Sequence, residues 1–413
     1  MYINYKLMLI TKIKNLSSTL KTGINKLNST LITRKRKLDF ADLIYFLSSK
    51  NINNSSFNST NFDITLKQYF DVSNSAIVKK QNLLEPSILE SFKDSVLSDI
   101  FTQLGHTQRF ICCDTSQVNL EKDLVSTTQF KVSKSNKYKT CMLSSLVDIK
   151  TEIPISYRLY NHENERKAVI DQLSYVKEGD VLIFDRGYYS KSLMDHLINR
   201  KINFIFRLPK SNNYSKLVES SISDSICQPY NGINIKILKY QLQTHEQYSL
   251  IDKKENLKFV DYFILTSLTD KKYNFNFFKD KYHDRWKVET NFRHAKYYGS
   301  LKHLKVKNER SLRINVIIHN FIFIISKYIE FLITKYKKIS KDKKINTKLC
   351  LQLLTKSDYL YKLFKVNSID DTEFIVEKCL ILLKFLVPIQ KNRHYIHEAK
   401  LPSTNWNYKI PNS

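Results

Sequence analysis

Residues 275–299 read FNFFKDKYHDRWKVETNFRHAKYYG, and the rest of the chain is organised around how this stretch folds. Its pattern predicts one helix. Tyr282, Arg285, Glu289 and Lys296 follow one another at steps of three, four and seven residues. At roughly 100° per residue those steps return to nearly the same azimuth, so a phenol, a guanidinium, a carboxylate and an ammonium share one face. Trp286, Val288, Phe292 and Ala295 occupy other positions and supply packing. On an arbitrary helix such a face is solvated and laced by i,i+4 salt bridges. What the rest of the chain carries decides whether this one is reactive.

Upstream, two apolar runs each end on an aspartate: Phe110-Ile111-Cys112-Cys113 before Asp114, and Val181-Leu182-Ile183-Phe184 before Asp185. Taken alone, either aspartate reads as a cap or turn former. Strand ends, however, place side chains at a sheet edge open to a ligand, and Gly187 permits a sharp exit after the second run. Between and around these runs, strand patterns cover 137–149 and 152–160, helix patterns cover 164–176 and 190–200, and a further strand covers 202–209. Strand, strand, strand, helix, strand, helix, strand indicates an α/β domain with a mixed central sheet. Residues 210–258 are polar with strand-like pieces at 232–242 and 246–251, and read as a β-rich insertion. The strand YFILTSL follows, then the opening helix, then a long helix from Arg310 to Lys338. A basic linker over 340–347 leads to two or three more helices over 348–389 and a basic tail.

The N-terminal third reads as helical. Residues 1–33 are basic with weak periodicity. Arg34 and Arg36 belong to a cluster of cations, TRKRKL, that serves as a nuclear address, a phosphate-binding patch or a solvated approach to the helix capped by Asp39. Further short helices open at Asp63 and Ser73, separated by polar turns, with Lys79 and Lys80 on the last. This arrangement suits a small helix-turn-helix-like DNA module.

The chain has 413 residues, 42% of them hydrophobic, and a formal net charge of +28 from 67 Lys+Arg against 39 Asp+Glu. It can therefore bury real cores, and its field favours a polyanion, nucleic acid before an anionic membrane. An AT-rich gene would also inflate Lys, and both causes apply. The six cysteines form no CxxC, which excludes a zinc ribbon and a disulfide framework and points to a reducing compartment. The N-terminus has no signal-peptide pattern, because Lys6, Lys12 and Lys14 interrupt its apolar residues. The longest apolar stretch, 314–333, contains Lys327 and Glu330 and reads as a buried helix, not a membrane span.

Asp114, Asp185 and Glu289 together make a set of hard oxygen donors, which suits two divalent cations, Mg²⁺ or Mn²⁺, rather than zinc. Two such ions, roughly 4 Å apart, activate a water or a 3′-hydroxyl and stabilise the leaving oxygen in phosphodiester exchange. Surrounding Lys and Arg hold the DNA backbone.

At this point the sequence resembles the DDE transposases of the IS4 group. Tyr282, Arg285, Glu289 and Lys296 match the group's Y-x2-R-x3-E-x6-K signature in full, and VLIFDRGYY matches its strand-Asp-Arg-Gly-Tyr element. The first aspartate stands in Asp114-Thr115-Ser116, with Thr115 where the group commonly has Gly. TRKRKLDFADLIYFL resembles the group's N-terminal DNA-binding region, and the insertion lies where the group carries one. The likeness runs from about residue 30 to the basic tail.

The resemblance implies an α/β fold with an RNase H-like mixed-sheet catalytic core, a β-rich insertion, and flanking N-terminal and C-terminal helical regions. The expected organisation is a helical DNA-binding region over 1–104, the core over 105–209, the insertion over 210–258, the core's second part with the catalytic helix over 259–339, and a C-terminal helical region and basic tail over 340–413. It further implies that Asp114, Asp185 and Glu289 are catalytic and bind the two ions. Tyr282, Arg285 and Lys296 would contact phosphates, with Arg186, Arg34 and Arg36 as further DNA contacts and Trp286 as a packing residue.

The implied partners are transposon-end DNA and target DNA, bound by a homodimer in a synaptic complex with no membrane. The implied location is DNA-associated and intracellular, either a bacterial cytoplasm or a eukaryotic nucleus. In the implied reaction water nicks the DNA end, the freed 3′-hydroxyl forms a hairpin that is reopened, and the final 3′-hydroxyl attacks target DNA. The alternatives are a catalytically retired DNA-binding descendant and an RNase H-fold nuclease without strand transfer.

Overall fold

The computed structural model describes residues 2–31, 38–53, 55, 60, 71–133, 138–161, 163–246, 256–304 and 306–389. The first core strand, β1 (Phe110–Leu120), pairs antiparallel with β3 (Lys139–Asp148), from Ile111 opposite Asp148 to Leu120 opposite Lys139. On its far side β3 pairs antiparallel with β4 (Pro154–Tyr160), and the short β2 (Lys131–Val132) also joins it. The other edge of β1 pairs parallel with β5 (Val181–Phe184), which pairs parallel with β6 (Asn203–Leu208). An antiparallel meander of three strands followed by two parallel strands gives the mixed RNase H-like core. Parallel pairing requires a crossover. Here α5 (Glu165–Gln172) precedes β5, and α6 (Lys191–Asn199) lies between β5 and β6. All four β5 residues are buried, as a parallel strand covered on both faces requires.

The insertion joins the same sheet. After α7 (Asn213–Glu219), β7 (Ser225–Tyr230) turns into β8 (Ile233–Glu246) through Asn231 and Gly232, both at positive φ. This is the left-handed pair that a tight two-residue hairpin needs. Strand β9 (Asn256–Thr266) pairs with β8 and, antiparallel, with β6. It runs unbroken across residue 258, the expected edge of the insertion. Among the described residues the result is one ten-stranded sheet.

The two faces of the sheet are covered by different helices. Ser156 on β4 bonds Gln172 of α5, whereas its neighbour Tyr157 points the other way and bonds Asn291. That second face is covered by α9 (Trp286–Tyr297), which follows α8 (Phe275–Asp284), and, after the short β10 (His303–Leu304), by α10 (Glu309–Lys337). Among the described residues α10 is long and apolar enough to cross a membrane. It is instead the central core helix, with 94% of its most apolar window buried inside the protein.

The helical regions at the two ends of the sequence pack together. Helix α1 (Tyr2–Leu31) buries Leu9, Ile13, Leu16, Leu20, Ile24 and Leu27, a stripe at steps of three and four. The stripe is stronger than the weak periodicity read from the sequence, because Lys, Ser and Thr between its members dilute the signal. Helix α1 packs on α4 (Pro86–Leu104), α10 and the C-terminal helices α12 (Tyr359–Lys365) and α13 (Ile369–Leu380). Helix α2 (Phe40–Ile52) is capped by Asp39 as expected and forms a capping box with Asp42. It is buried almost throughout, against α10, α11 (Thr347–Lys356) and α12, and so does not stand free as a recognition helix. Ser73 caps α3 (Asn74–Leu83), but Lys80 on it is buried over the Phe40 ring. The helix expected after Asp63, the cluster with Arg34 and Arg36, and the basic tail from 390 lie outside the described residues. All six cysteines are free thiols and only Cys227 is exposed.

Candidate active site

Asp114 sits inside β1 and not at its end. The strand continues to Leu120 because β3 keeps pairing with it on the other side. On the β5 side, pairing runs only to Cys112 opposite Ile183, and β10 joins only at Asn119. The parallel register thus brings Asp114 level with Asp185, the residue that follows β5, at a gap in the sheet. Thr115, where a glycine was the family pattern, occupies ordinary extended strand, and its N–H donates to Asp114 Oδ1 at 2.8 Å. After Asp185 the chain makes a turn closed by Tyr188 N–H to the Asp185 carbonyl at 3.1 Å. Gly187 has no positive φ in this turn, so the expected need for glycine's backbone freedom is not met there.

The helix over 275–299 is broken into α8 and α9 at Arg285. Arg285 N–H bonds the Tyr282 carbonyl, and Val288 N–H bonds the Arg285 carbonyl, each at i−3. This local tightening replaces one α-turn and turns buried side chains toward the gap. Tyr282 donates its hydroxyl to Asp185 Oδ1 at 2.7 Å. Arg285 is 4% exposed; its Nη2 donates to Glu289 Oε1 at 2.9 Å, and its Nη1 lies 3.8 Å from Asp114 Oδ2. Lys296 reaches further along β1 and donates to Ser116 Oγ at 2.6 Å and the Gln117 carbonyl at 2.7 Å. The four residues expected on one polar face therefore all point at the β1–β5 gap. Tyr282 and Arg285, expected on phosphates, are bonded to the carboxylates.

The charges in the gap are unequal in environment. Burial, with the nearby Glu289 and Glu165 carboxylates, pushes Asp114 up from 3.8 to about 6, against the pull of the Thr115 N–H and Arg285. Burial also opposes the charge on Asp185. There the Tyr282 hydroxyl, the Arg186 N–H and the guanidiniums of Arg285 and Arg207 prevail and hold the carboxyl below its ordinary range. Burial lowers the Lys296 ammonium, helped by Lys302.

Four residues enter or change role. Arg207 on β6 lies 3.8 Å from Asp185 Oδ1 and stacks its guanidinium 4.2 Å from the Tyr262 ring centroid. No local motif marked it, since it is one cation in an apolar strand. Glu165, the first residue of α5, accepts a hydrogen bond from the Thr115 hydroxyl. In the sequence it is one polar residue of a helix pattern. Trp286, expected to pack, is 54% exposed beside the Arg285 guanidinium, because the break at Arg285 leaves it on the outer side of α9. The Arg186 side chain is exposed, and its backbone N–H, not its guanidinium, serves Asp185.

The carboxylates at the gap are the hard oxygen donors that a divalent cation takes. Asp114, Asp185, Glu289 and Glu165 bring four carboxylates, and the cations paired with them are two guanidiniums, Arg285 and Arg207. Arg285 stands between Asp114 and Glu289 and supplies positive charge there. As the side chains stand, no three His, Cys, Asp or Glu among the described residues are gathered tightly enough to hold an ion.

A family model described as a transposase DDE domain matches residues 105–325, just over half of the chain. Among solved structures, one similar chain is in the cryo-EM structure of a piggyBac transposase synaptic complex with hairpin DNA. The two share 12% identity at a TM-score of 0.42, over 91% of this chain and 85% of that one. No curated protein sequence matches.

Proposed function

The chain belongs to the transposase DDE domain family, and from that premise we propose that it cleaves transposon ends and joins them to target DNA, with Asp114, Asp185 and Glu289 as the catalytic carboxylates. The observation that carries this reading is the level placement of Asp114 and Asp185 across the β1–β5 gap, with Glu289 linked to Asp114 through Arg285. The three would hold two divalent cations, Mg²⁺ or Mn²⁺. When bound, these ions supply a polarised water or 3′-hydroxyl and a stabilised leaving oxygen.

The chain's own residues set the geometry. Tyr282 and Arg207 orient Asp185, and Arg285 holds Glu289 beside Asp114. The Arg285 guanidinium, standing between Asp114 and Glu289, supplies positive charge at the gap, and its planar fork suits bidentate contact with a DNA phosphate. Lys296, on the open part of β1, and Arg186, exposed on the turn after Asp185, contact flanking phosphates. Trp286 offers an exposed aromatic face for an unpaired base. Arg34 and Arg36 belong to the proposed end-binding region. The IS4-like signature supports strand transfer through a hairpin, carried out by a homodimer that synapses two ends.

The test uses DNA carrying the terminal sequences that flank the gene. Glu289→Gln should abolish Mg²⁺-dependent end cleavage and leave DNA binding largely intact. A variant that cuts as well as the parent removes Glu289 from the site.

A further inference from the structure

We propose that Glu165 is a positioning residue of this site, holding Asp114 in place through the Thr115 hydroxyl and adding a fourth carboxylate where β1 and the turn after β5 meet. The inference rests on the reading of Asp114, Asp185 and Glu289 as the catalytic set.

Thr115 ties Asp114 to Glu165. Its N–H donates to Asp114 Oδ1 at 2.8 Å, and its hydroxyl donates to Glu165 Oε1. A hydroxyl has one proton to give, so this bond directs the Thr115 side chain at Glu165, while the N–H of the same residue holds the Asp114 carboxylate. Glu165 is itself well anchored. Asn164 caps α5 by accepting from Lys167 N–H at 3.0 Å, which sets Glu165 as the first residue of the helix.

The same helical turn also grips the other aspartate's turn. Arg166 Nη2 donates to the Gly187 carbonyl at 2.8 Å. A Cβ at Gly187 would lie 3.9 Å from Glu165 Oε2, so the second carboxylate oxygen faces the segment that follows Asp185. Glu165 and Arg166 thus brace both aspartate-bearing segments from the face of the sheet opposite α9. An acidic residue in the first turn of a helix gains from the helix dipole alone. That gain requires no bond to another strand, and here the carboxylate is directed at Thr115.

The bond and the charge can be separated by substitution. Thr115→Val removes the hydroxyl, Thr115→Ser keeps it, Glu165→Gln keeps an acceptor without the charge, and Glu165→Ala removes both. The readout is Mn²⁺ affinity of the full chain, measured by EPR titration of free Mn²⁺. Outer-shell partners of metal ligands are worth about 10–100-fold in affinity. Thr115→Val and Glu165→Ala should each weaken Mn²⁺ binding by about that factor. Thr115→Ser should stay within about twofold, and the Thr115→Val/Glu165→Ala double variant should be no weaker than the weaker single, since both break one link.

Wild-type Mn²⁺ affinity in Thr115→Val, a Thr115→Ser variant as impaired as Thr115→Val, or singles whose effects multiply would each overturn the proposal. If Glu165→Ala does not fold, Glu165→Gln and the Thr115 pair carry the test, with Glu165→Gln expected to be less impaired than Thr115→Val. Asp185→Asn and Glu289→Gln run alongside. If these two also leave Mn²⁺ binding unchanged, the catalytic reading fails. If they abolish binding and the Thr115 and Glu165 variants do not weaken it, only the positioning role fails.

Discussion

The hydroxyl of Tyr282 donates to Asp185 Oδ1 at 2.7 Å, joining residues 97 positions apart in the chain. Through this bond the end of α8, from which the Glu289-bearing α9 departs, is held against the turn after β5 that carries Asp185. Tyr282 is 5% exposed, so the bond lies in a partly desolvated setting, where a charge-assisted hydrogen bond is worth about 1.5–3 kcal/mol. Tyr282→Phe keeps the ring packing and loses only this donor. End cleavage should fall on the order of tenfold, in line with that energy. A Tm close to the parent's alongside the slower cleavage, from parallel thermal melts and cleavage assays, checks that the loss is local.

Asp114 gives the site a pH signature. Its folded pKa, about 6, lies above the unfolded value of 3.8, so the folded chain holds the proton more tightly. As pH rises through that window the unfolded state releases its proton first, and stability falls. Above pH about 6, before any ion binds, the charged carboxylate costs on the order of 3 kcal/mol. Asp114→Asn should therefore melt higher than the parent at pH 7.5 in chelator, and the gap should close toward pH 4. Ion binding needs the carboxylate, so cleavage by the parent should decline as pH drops below about 6. Melts from pH 4 to 8 with and without Mg²⁺ test both signs.

Much of this fold was legible in the sequence, for physical reasons. Val181-Leu182-Ile183-Phe184 is an unbroken apolar run because β5 is covered on both faces. Asp39 and Ser73 cap helices where their side chains and the following patterns said they would. Asn231-Gly232 is a strong hairpin signal, yet the polar alternation of β7 hides the strand before it. Helix α4 carries its own marks, Pro86 at its start and Gly105 in the left-handed conformation at its end. The site was only partly legible. Spacing could show that Tyr282, Arg285, Glu289 and Lys296 share a face. It could not show the break at Arg285, which depends on tertiary packing, nor the long-range partners Arg207 and Glu165.

The exposure of Trp286 separates a binding role from a packing one. A side chain 54% exposed contributes little to stability, so Trp286→Ala should change unfolding free energy by no more than about 0.5 kcal/mol. If its face receives a base, affinity for DNA ends with unpaired nucleotides should fall on the order of tenfold, since base stacking is worth about 1–3 kcal/mol. Affinity for fully paired ends should change less. Fluorescence anisotropy on the two DNA forms distinguishes these outcomes.

Among the described residues Lys296 bonds Ser116 and the Gln117 carbonyl, so its ammonium is available to a phosphate at the cost of those bonds. Lys296→Met should weaken binding similarly across DNA sequences and reduce the slope of log K against log salt by about 1. Binding titrations from about 50 to 200 mM salt measure the slope, and an unchanged slope removes Lys296 from the phosphate track.

The central claim is that Asp114, Asp185 and Glu289 share one divalent-cation site, and metal-directed cleavage of the polypeptide tests it most directly. Fe²⁺ substituted for Mg²⁺, with ascorbate and peroxide, generates short-lived radicals that cut the backbone near the bound ion. Cuts close to residues 114, 185 and 289, suppressed together by excess Mg²⁺ and lost together in Asp185→Asn, are the predicted result. Cuts confined to other regions, or cuts at the three positions that respond independently to Mg²⁺ and to Asp185→Asn, would contradict a shared site.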